Sequence, residues 1–217
     1  MFIKRLGCML FGALCLASCS ARLLKATHAA AAAAPYVAAH PTAGPFTFYD
    51  VPAMSTAPTI KVGAVVLVDR GAYKYFGPRH GDIVIFIPPV PSADPFIKRV
   101  IAVPGDTLTT QGHHILVNGT ILREPYLREP MDYQIKIAEY GLYATIPGTN
   151  DWQTVRIGHP PDRTAWRSAS RVPVLYYVLL GDNRNNSEDS HVFGLVSRLD
   201  IVGKMVGYCK LVDRYKS

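Results

Sequence analysis

Cysteine is scarce in most of this chain. Cys8, Cys15 and Cys19 lie near the N-terminus, and Cys209 is the remaining cysteine. A single cysteine cannot form an internal disulfide, so the body of the protein must be stabilised by its hydrophobic core. No cysteines and histidines occur together with the spacing of zinc ligands, so we expect neither a metal site nor a cofactor.

Runs of basic residues are also missing. Lys and Arg number 23 against 16 Asp and Glu, a net charge of +7, but the positive charges are scattered along the chain. This pattern disfavours nucleic-acid binding and favours a basic surface that faces anionic lipid. Apolar residues make up 49% of the 217 residues, which excludes a disordered chain and allows one hydrophobic core.

The first 25 residues contain a short apolar segment. Lys4 and Arg5 precede an uncharged run, Leu6–Ala21, whose 16 residues fall short of the roughly 20 that span a bilayer. The segment is compatible with a cleaved secretory signal, a retained membrane anchor or a lipoprotein signal, because Leu16–Cys19 resembles a bacterial lipobox that would leave a lipidated Cys19. In each case, residues after about 25 are expected on the extracytoplasmic side of the inner membrane.

Residues 26–45 form an Ala-rich stretch with three prolines, which predicts a spacer between the membrane and the domain. A helix through Ala29–Ala34 is compatible with the composition, and Pro35 is expected to limit it.

The remainder, residues 46–217, is predicted to be mostly β, with an antiparallel β-sheet core. Short apolar runs rich in Val, Ile and Tyr are separated by Gly, Pro and Asp; the predicted strands are Phe46–Val51, Val62–Val68, Asp82–Ile87, Phe96–Val103, Ile115–Val117, Val174–Leu180 and Ile201–Leu211. Asn118-Gly119 between apolar runs predicts a hairpin turn. A more polar stretch predicts a less regular subdomain inserted at about 110–174.

Three motifs carry the candidate chemistry. The first, Pro52–Ile60, places Ser55 in a turn before Pro58. The second, Phe96–Asp106, places Lys98 on a strand face with apolar neighbours, which favours either a snorkelling or a desolvated amine. The third, Gly181–His191, is rich in Asp, Asn and Ser. Taken singly, they are typical of a turn serine, a surface lysine and a polar turn.

Together, the three motifs resemble the type I signal peptidases, the bacterial leader peptidase family. That family has a Ser-Met-x-Pro-Thr-Leu-like box, a Gly-Asp-Ile-Val strand, a Lys-Arg-Val-x-Gly-x-Pro-Gly-Asp-like box and a Gly-Asp-Asn-x-x-x-Ser-x-Asp-Ser box. The strand is matched at Gly81–Val84, and the last box is matched at Gly181, Asp182, Asn183, Ser187, Asp189 and Ser190. Thr56 stands where Met is usual, and Ala53 stands where many members have a serine that assists the oxyanion hole.

The resemblance implies a serine endopeptidase that removes signal peptides from exported preproteins at the membrane surface. It implies Ser55 as nucleophile, Lys98 as general base and Ser187 as the residue that orients the lysine amine. Asp189 is expected to hold the turn that carries Ser187, with Arg184 as its partner.

The resemblance also implies the mode of substrate binding. The substrate is expected to lie as an extended strand between residues 50–53 and 96–98. Small residues, typically Ala at −1 and −3, would enter shallow pockets lined by Val51, Ala53, Phe96 and Ile97. The expected partners are preprotein signal peptides and membrane lipid.

Several alternatives share part of this evidence. Peptidases that process pilin precursors during conjugative transfer have related boxes. A Ser-His-Asp enzyme that uses His191 is disfavoured, because Ser187, Asp189 and His191 lie within one turn. Self-cleaving repressors share the Ser-Lys chemistry but lack an export segment. The last alternative is a non-catalytic envelope lipoprotein, and the lipobox at Leu16–Cys19 is its best support.

Overall fold

The computed structural model describes residues 15–40, 44–92, 94–155 and 161–209. Within them, two α-helices and 13 strands follow the chain in this order: α1 Cys15–Ala39, β1 Phe46–Asp50, β2 Val65–Asp69, β3 Ile83–Phe86, β4 Phe96–Ala102, β5 Leu108–Gln111, β6 His114–Val117, β7 Thr120–Ile121, β8 Ile135–Ala138, β9 Gly141–Thr145, β10 Trp152–Val155, β11 Tyr176–Leu180, α2 Ser190–Phe193, β12 Val196–Ser197 and β13 Ile201–Tyr208.

The central sheet has seven strands in the order β1-β2-β13-β3-β4-β11-β12. Its strand pairs are antiparallel, which confirms the predicted mostly β, antiparallel architecture. Each predicted strand is present, most of them shortened by a few residues at one end or both. The last residues of the predicted Ile201–Leu211 strand lie outside the described residues.

Both faces of the central sheet are covered. All residues of β2 and β3 are buried, which explains why their sequences read as continuous apolar runs rather than as an alternation. One apolar cluster includes Val51, Ile60 and Ile97, and a second includes Phe86 and Phe96. The second motif of the sequence therefore lies between two core clusters, where a charged side chain loses its contact with water.

The stretch between β4 and β11 forms two three-stranded antiparallel sheets, β5-β6-β7 and β10-β9-β8. Asn118 and Gly119 have φ angles of 52° and 77° and join β6 to β7, which confirms the predicted hairpin turn. These sheets share a core cluster with β4 and β11 of the central sheet, and Tyr133 and Trp166 contribute to it. The predicted insertion is thus built around buried aromatic and aliphatic side chains, in spite of its polar composition.

Helix α1 continues through Pro35 to Ala39, so the expected limit at Pro35 is wrong. Ala29 and Ala33 are fully buried and pack with Leu67 of β2. Gly207 of β13 lies so close that an added Cβ would meet Ala33 Cβ at 2.9 Å. This close packing of small residues offsets the hydrogen bond that the proline removes. Residues 26–39, expected as a spacer, therefore lie in a helix packed on the sheet.

The N-terminal segment predicted at 1–25 lies only partly within the structure, since residues 1–14 are outside the described residues. Among the described helices, none combines the length and the apolar character needed to cross a bilayer.

Candidate active site

Ser55 and Lys98 meet at the end of the central sheet. Ser55 lies in the turn that follows β1, and Lys98 lies in the middle of β4. The amine Nζ of Lys98 is 2.7 Å from the hydroxyl Oγ of Ser55, a hydrogen-bonding distance. Sequence separation between them is 43 residues, so the contact depends on the folding of the sheet.

Burial makes Lys98 a candidate general base. Lys98 is only 3% exposed, and its Nζ lies 5.4 Å from the centre of the Phe96 ring. Loss of water lowers the pKa of the lysine from 10.5 to about 8, although the negative charges of Asp189, Glu188 and Asp182 act in the opposite direction. A substantial fraction of the amine is therefore neutral at mildly alkaline pH, as a proton acceptor must be.

The turn that carries Ser55 is held by the third motif. Asn183 donates its backbone N–H to the Ser55 carbonyl oxygen over 3.0 Å and its side-chain amide to the Met54 carbonyl over 3.3 Å. Within the turn, Ala57 donates to the Met54 carbonyl over 2.9 Å. The Ser55 N–H takes part in no backbone hydrogen bond within the described residues, which leaves this donor available to an oxyanion.

Gly181 permits the close approach between the third motif and the turn at Pro52–Ile60. We call this turn the nucleophile turn, because it carries the candidate nucleophile Ser55. A Cβ added at this position would overlap the Ser55 carbonyl oxygen and the Ser187 hydroxyl, and it would lie 2.7 Å from Ser187 Cβ. The structure thus brings Ser187 beside Gly181 and the Ser55 backbone. The Ser187 hydroxyl is nevertheless buried without a hydrogen-bond partner in the described part of the chain. The expected bond between this hydroxyl and the Lys98 amine is not formed.

Asp189 is fully buried and organises the turn that leads from Gly181 to α2. Its carboxylate accepts hydrogen bonds from the Gly181 N–H at 2.8 Å and from His191 Nδ1 at 2.7 Å. Burial alone would raise its pKa, but the hydrogen bond and charge of His191, the Lys98 charge and the Gly181 N–H together hold the pKa below its ordinary value. Asp189 therefore presents a fixed negative charge to Lys98.

The prediction that Arg184 pairs with Asp189 is wrong. Arg184 forms its ion pair with Glu124, and its Nε donates to the Gly181 carbonyl over 3.1 Å. Both side chains of this ion pair are buried, at 2% and 7% exposure. The physical reason is that a buried guanidinium needs a carboxylate with free oxygens, and those of Asp189 are taken by Gly181 and His191.

A second buried ion pair was not predicted from the sequence. Arg99 donates from Nε and Nη2 to the two carboxylate oxygens of Asp182, at 2.8 and 2.6 Å. Thr59 of the nucleophile turn also donates to Asp182. This bidentate pair connects β4, the third motif and the nucleophile turn. Strand alternation correctly placed Arg99 on the face opposite Lys98 but gave no sign of its partner.

The predicted pocket residues are mostly buried. Val51, Phe96 and Ile97 are 1%, 4% and 4% exposed and belong to the core clusters of the sheet. Only Ala53 among the four keeps appreciable exposed surface. The structure therefore places three of the four predicted pocket residues in the core and only Ala53 at the surface.

The geometry argues against a histidine-based triad. His191 pairs with Asp189 and stacks on Tyr133, with ring centroids 4.0 Å apart. The Ser187 hydroxyl has no partner within the described residues, so no Ser187–His191 bond completes a triad. The described residues also contain no group of three or more His, Cys, Asp or Glu side chains arranged to hold a metal ion.

Comparisons with known proteins indicate the family of this chain. A sequence profile of the family described as "Signal peptidase, peptidase S26" matches residues 21–209. Signal peptidase I of Leptolyngbya laminosa is 34% identical over 163 residues, which cover 72% of this chain and 64% of the relative. Signal peptidase IB of Staphylococcus aureus (strain COL) is 35% identical over 159 residues, or 73% of this chain and 75% of the relative.

Two further comparisons concern the share of the relatives' length that this chain matches and a relative with a solved structure. The match covers 58% of the probable signal peptidase I-2 of Synechocystis sp., so the chain spans less than two thirds of the length of several relatives. A signal peptidase I from Enterococcus faecalis V583, known from a crystal structure, is 25% identical, with a TM-score of 0.39 over 59% of this chain and 96% of that one. Because the family profile covers most of the chain and relatives above 30% identity support it, the protein belongs to the signal peptidase family, peptidase S26.

Proposed function

We propose that this protein is a serine endopeptidase that removes N-terminal signal peptides from exported preproteins by means of a Ser55–Lys98 dyad. The observation that carries the proposal is the 2.7 Å contact between Ser55 Oγ and the buried Lys98 Nζ. Family membership supplies the reaction class, and the site supplies a nucleophile and a base at hydrogen-bonding distance.

Neutral Lys98 accepts the proton of the Ser55 hydroxyl while Oγ attacks the scissile carbonyl carbon. The Ser55 N–H donates to the resulting oxyanion. The Lys98 ammonium then gives its proton to the leaving amine, the C–N bond breaks, and an ester on Ser55 remains. Water attacks this ester, Lys98 accepts a proton from the water and returns it to Ser55 Oγ, and the carboxylic acid product leaves.

Ser187 and Asp189 support Lys98 in this scheme. A buried hydroxyl without a partner is costly, so the Ser187 hydroxyl is a ready acceptor for the ammonium that forms during the reaction. Asp189 adds a fixed negative charge that stabilises the same ammonium. Arg184 contributes indirectly, since it holds the Gly181 carbonyl in place.

The substrate binds as an additional strand beside β4. Strand β11 pairs with β4 only between Arg99 and Ala102, so this side of β4 has no neighbouring strand at Phe96–Lys98 among the described residues. Val100 bonds to Gly81 and Asp82 on the β3 side, and alternation therefore directs the Ile97 N–H and C=O towards the open side. Small residues such as Ala at −1 and −3 suit the shallow surface next to Ala53.

Two contacts tie α1 to the site and support a location at the membrane. Arg22 pairs with Asp50 at the end of β1, and Lys25 donates to the Gly63 carbonyl over 2.8 Å. The Gly63 N–H in turn bonds to the Val51 carbonyl over 2.7 Å. An N-terminal anchor continuous with α1 would hold the site close to the inner membrane, on its extracytoplasmic side. There the site would contact signal peptides and membrane lipid.

The proposal is tested by processing of a preprotein in detergent micelles by the full chain. We expect Ser55→Ala and Lys98→Ala each to abolish cleavage, while the exposed-residue controls Ser170→Ala and Lys74→Ala cleave at the wild-type rate. Undiminished cleavage by either dyad variant would refute the dyad. Cleavage that depends on His191 but not on Lys98 would support the histidine alternative.

A further inference from the structure

Two cavities adjoin each other on one side of the nucleophile turn. The smaller, about 170 Å³, is lined by Met54, Ala57, Pro58 and residues 182–185. The larger, about 560 Å³, is lined mainly by 121–124 and 127–130 together with His113 and His114. Arg128 and Glu129 line both, so the two cavities are neighbours, and we call them together the lateral groove.

The lateral groove begins at Met54, next to the candidate nucleophile, and shares no lining residue with the proposed path of the substrate strand. Met54 precedes Ser55 directly and is 55% exposed. Residues 50–53 and 96–98, between which the substrate strand is proposed to lie, contribute nothing to its lining. An extended chain that pairs with β4 and presents its scissile carbonyl to Ser55 must continue past this turn, and the groove is the depression that opens there.

The groove carries an excess of positive charge. Arg123 and Arg128 are exposed, and neither forms an ion pair or hydrogen bond within the described residues. Two of the acidic residues in the lining are already neutralised, Glu124 by Arg184 and Asp182 by Arg99. Glu129 is therefore opposed by two arginines, which leaves the lining with one positive charge in excess.

Apolar side chains provide the remaining walls of the larger cavity. Leu122 and Leu127 are partly buried, and Ile121 is 55% exposed. A cavity of several hundred cubic ångströms, apolar in its walls and bearing a few charged groups, is typical of a binding site for a peptide segment or a ligand of similar size.

We propose that the lateral groove binds the segment of the preprotein that follows the scissile bond and prefers acidic side chains there. This inference rests on the proposed function, because it assigns the groove to the substrate of the same site. Arg128, at the junction of the two cavities, is the main determinant of the charge preference. Since the groove is open to solvent, the preference is modest, on the order of a two- to fivefold effect for a single exposed ion pair.

The test uses three preproteins with the same signal peptide and the same first residue after the scissile bond. Their next five residues are acidic, neutral or basic. The full chain in detergent is expected to cleave them with kcat/KM in the order acidic, neutral, basic, and Arg128→Glu is expected to reverse the order. Arg167→Glu, an exposed substitution outside the groove lining, is the matched control and should preserve the wild-type order. Added salt should reduce the differences.

The outcomes separate this inference from the proposed function. If the neutral substrate is cleaved in a Ser55-dependent manner but all three rates agree within experimental error, the groove assignment is overturned and the function stands. If Arg167→Glu changes the order as much as Arg128→Glu, the preference reflects overall charge and the assignment also fails. If no preprotein is cleaved, the proposed function is overturned, and the inference with it.

Discussion

Asn183 donates its backbone N–H to the carbonyl oxygen of Ser55 over 3.0 Å, which joins the polar motif near the end of the chain to the turn that carries the nucleophile. The site is therefore assembled from three distant segments: the turn after β1, the strand β4 and the motif after β11. Its geometry depends on how closely the third segment approaches the first.

Gly181→Ala tests this approach. The added methyl group would overlap the Ser55 carbonyl and Ser187, so the nucleophile turn must move. A displacement of about 1 Å at a reacting centre can cost roughly 100-fold in rate, and we expect kcat to fall by about that factor while the protein remains folded. Steady-state kinetics and thermal unfolding measure the two effects.

Gly141→Ala is the matched control for this substitution. Its Cβ would meet the Tyr143 ring at 3.2 Å and the Ala138 carbonyl oxygen at 3.7 Å, and no residue of the candidate site is among these contacts. We expect wild-type kcat for this variant. An unchanged kcat in Gly181→Ala would show that the close approach has no catalytic importance.

Asp182→Asn tests the buried ion pair with Arg99. The asparagine keeps the shape of the side chain but leaves the guanidinium, whose side chain is 13% exposed, without its counter-charge. Removal of one partner of a buried pair costs about 3–5 kcal/mol, and chemical denaturation should show a loss of this order. We also expect reduced kcat, because Thr59 of the nucleophile turn loses its charged acceptor.

Lys204→Gln provides the comparison for a pair that is more open to solvent. Lys204 binds Asp82 at 2.7 Å, and the two side chains are 31% and 10% exposed. Because solvent weakens an ion pair, this variant should lose less stability than Asp182→Asn. Equal losses in the two variants would contradict a special role for the Arg99–Asp182 pair.

Lys98→Met is expected to abolish activity and to stabilise the fold. The lowering of the lysine pKa from 10.5 to about 8 means that folding is opposed by the burial of the charged amine. The cost at neutral pH is roughly 3 kcal/mol, and methionine of similar shape avoids it.

The pH dependence of this stabilisation follows from proton binding. Below pH 8, the amine is protonated in both the folded and the unfolded wild-type protein, and the full cost is present. Between pH 8 and 10.5, the unfolded chain binds more protons, so wild-type stability rises towards that of the variant. Denaturation at pH 7 and pH 10 should show this narrowing, and a constant difference would contradict the lowered pKa.

The sequence was sufficient to predict most of the central sheet and to single out Ser55 and Lys98 as candidate reacting groups. Ser55 and Lys98 lie in short motifs, and the strands are short apolar runs bounded by Gly, Pro and Asp, so local patterns identify them. Family resemblance then brought the motifs together, and the structure shows Ser55 and Lys98 in contact.

Partners distant in sequence could not be predicted. Glu124 binds Arg184 from 60 residues away, and no local pattern distinguishes it from other acidic residues of the polar stretch. The burial of Val51 and Ile97 depends on what covers the sheet, which strand alternation alone does not reveal. The passage of α1 through Pro35 depends on the packing of Ala33 against Gly207, a tertiary contact that overrides local preference.

The pH dependence of kcat/KM tests the dyad most directly. With a substrate that has no titrating group between pH 6 and 10, kcat/KM of the free enzyme follows the fraction of neutral Lys98. The predicted profile rises about tenfold for each pH unit below 8 and levels off above a midpoint of about 8. A kcat/KM that is independent of pH across this range would contradict Lys98 as the base.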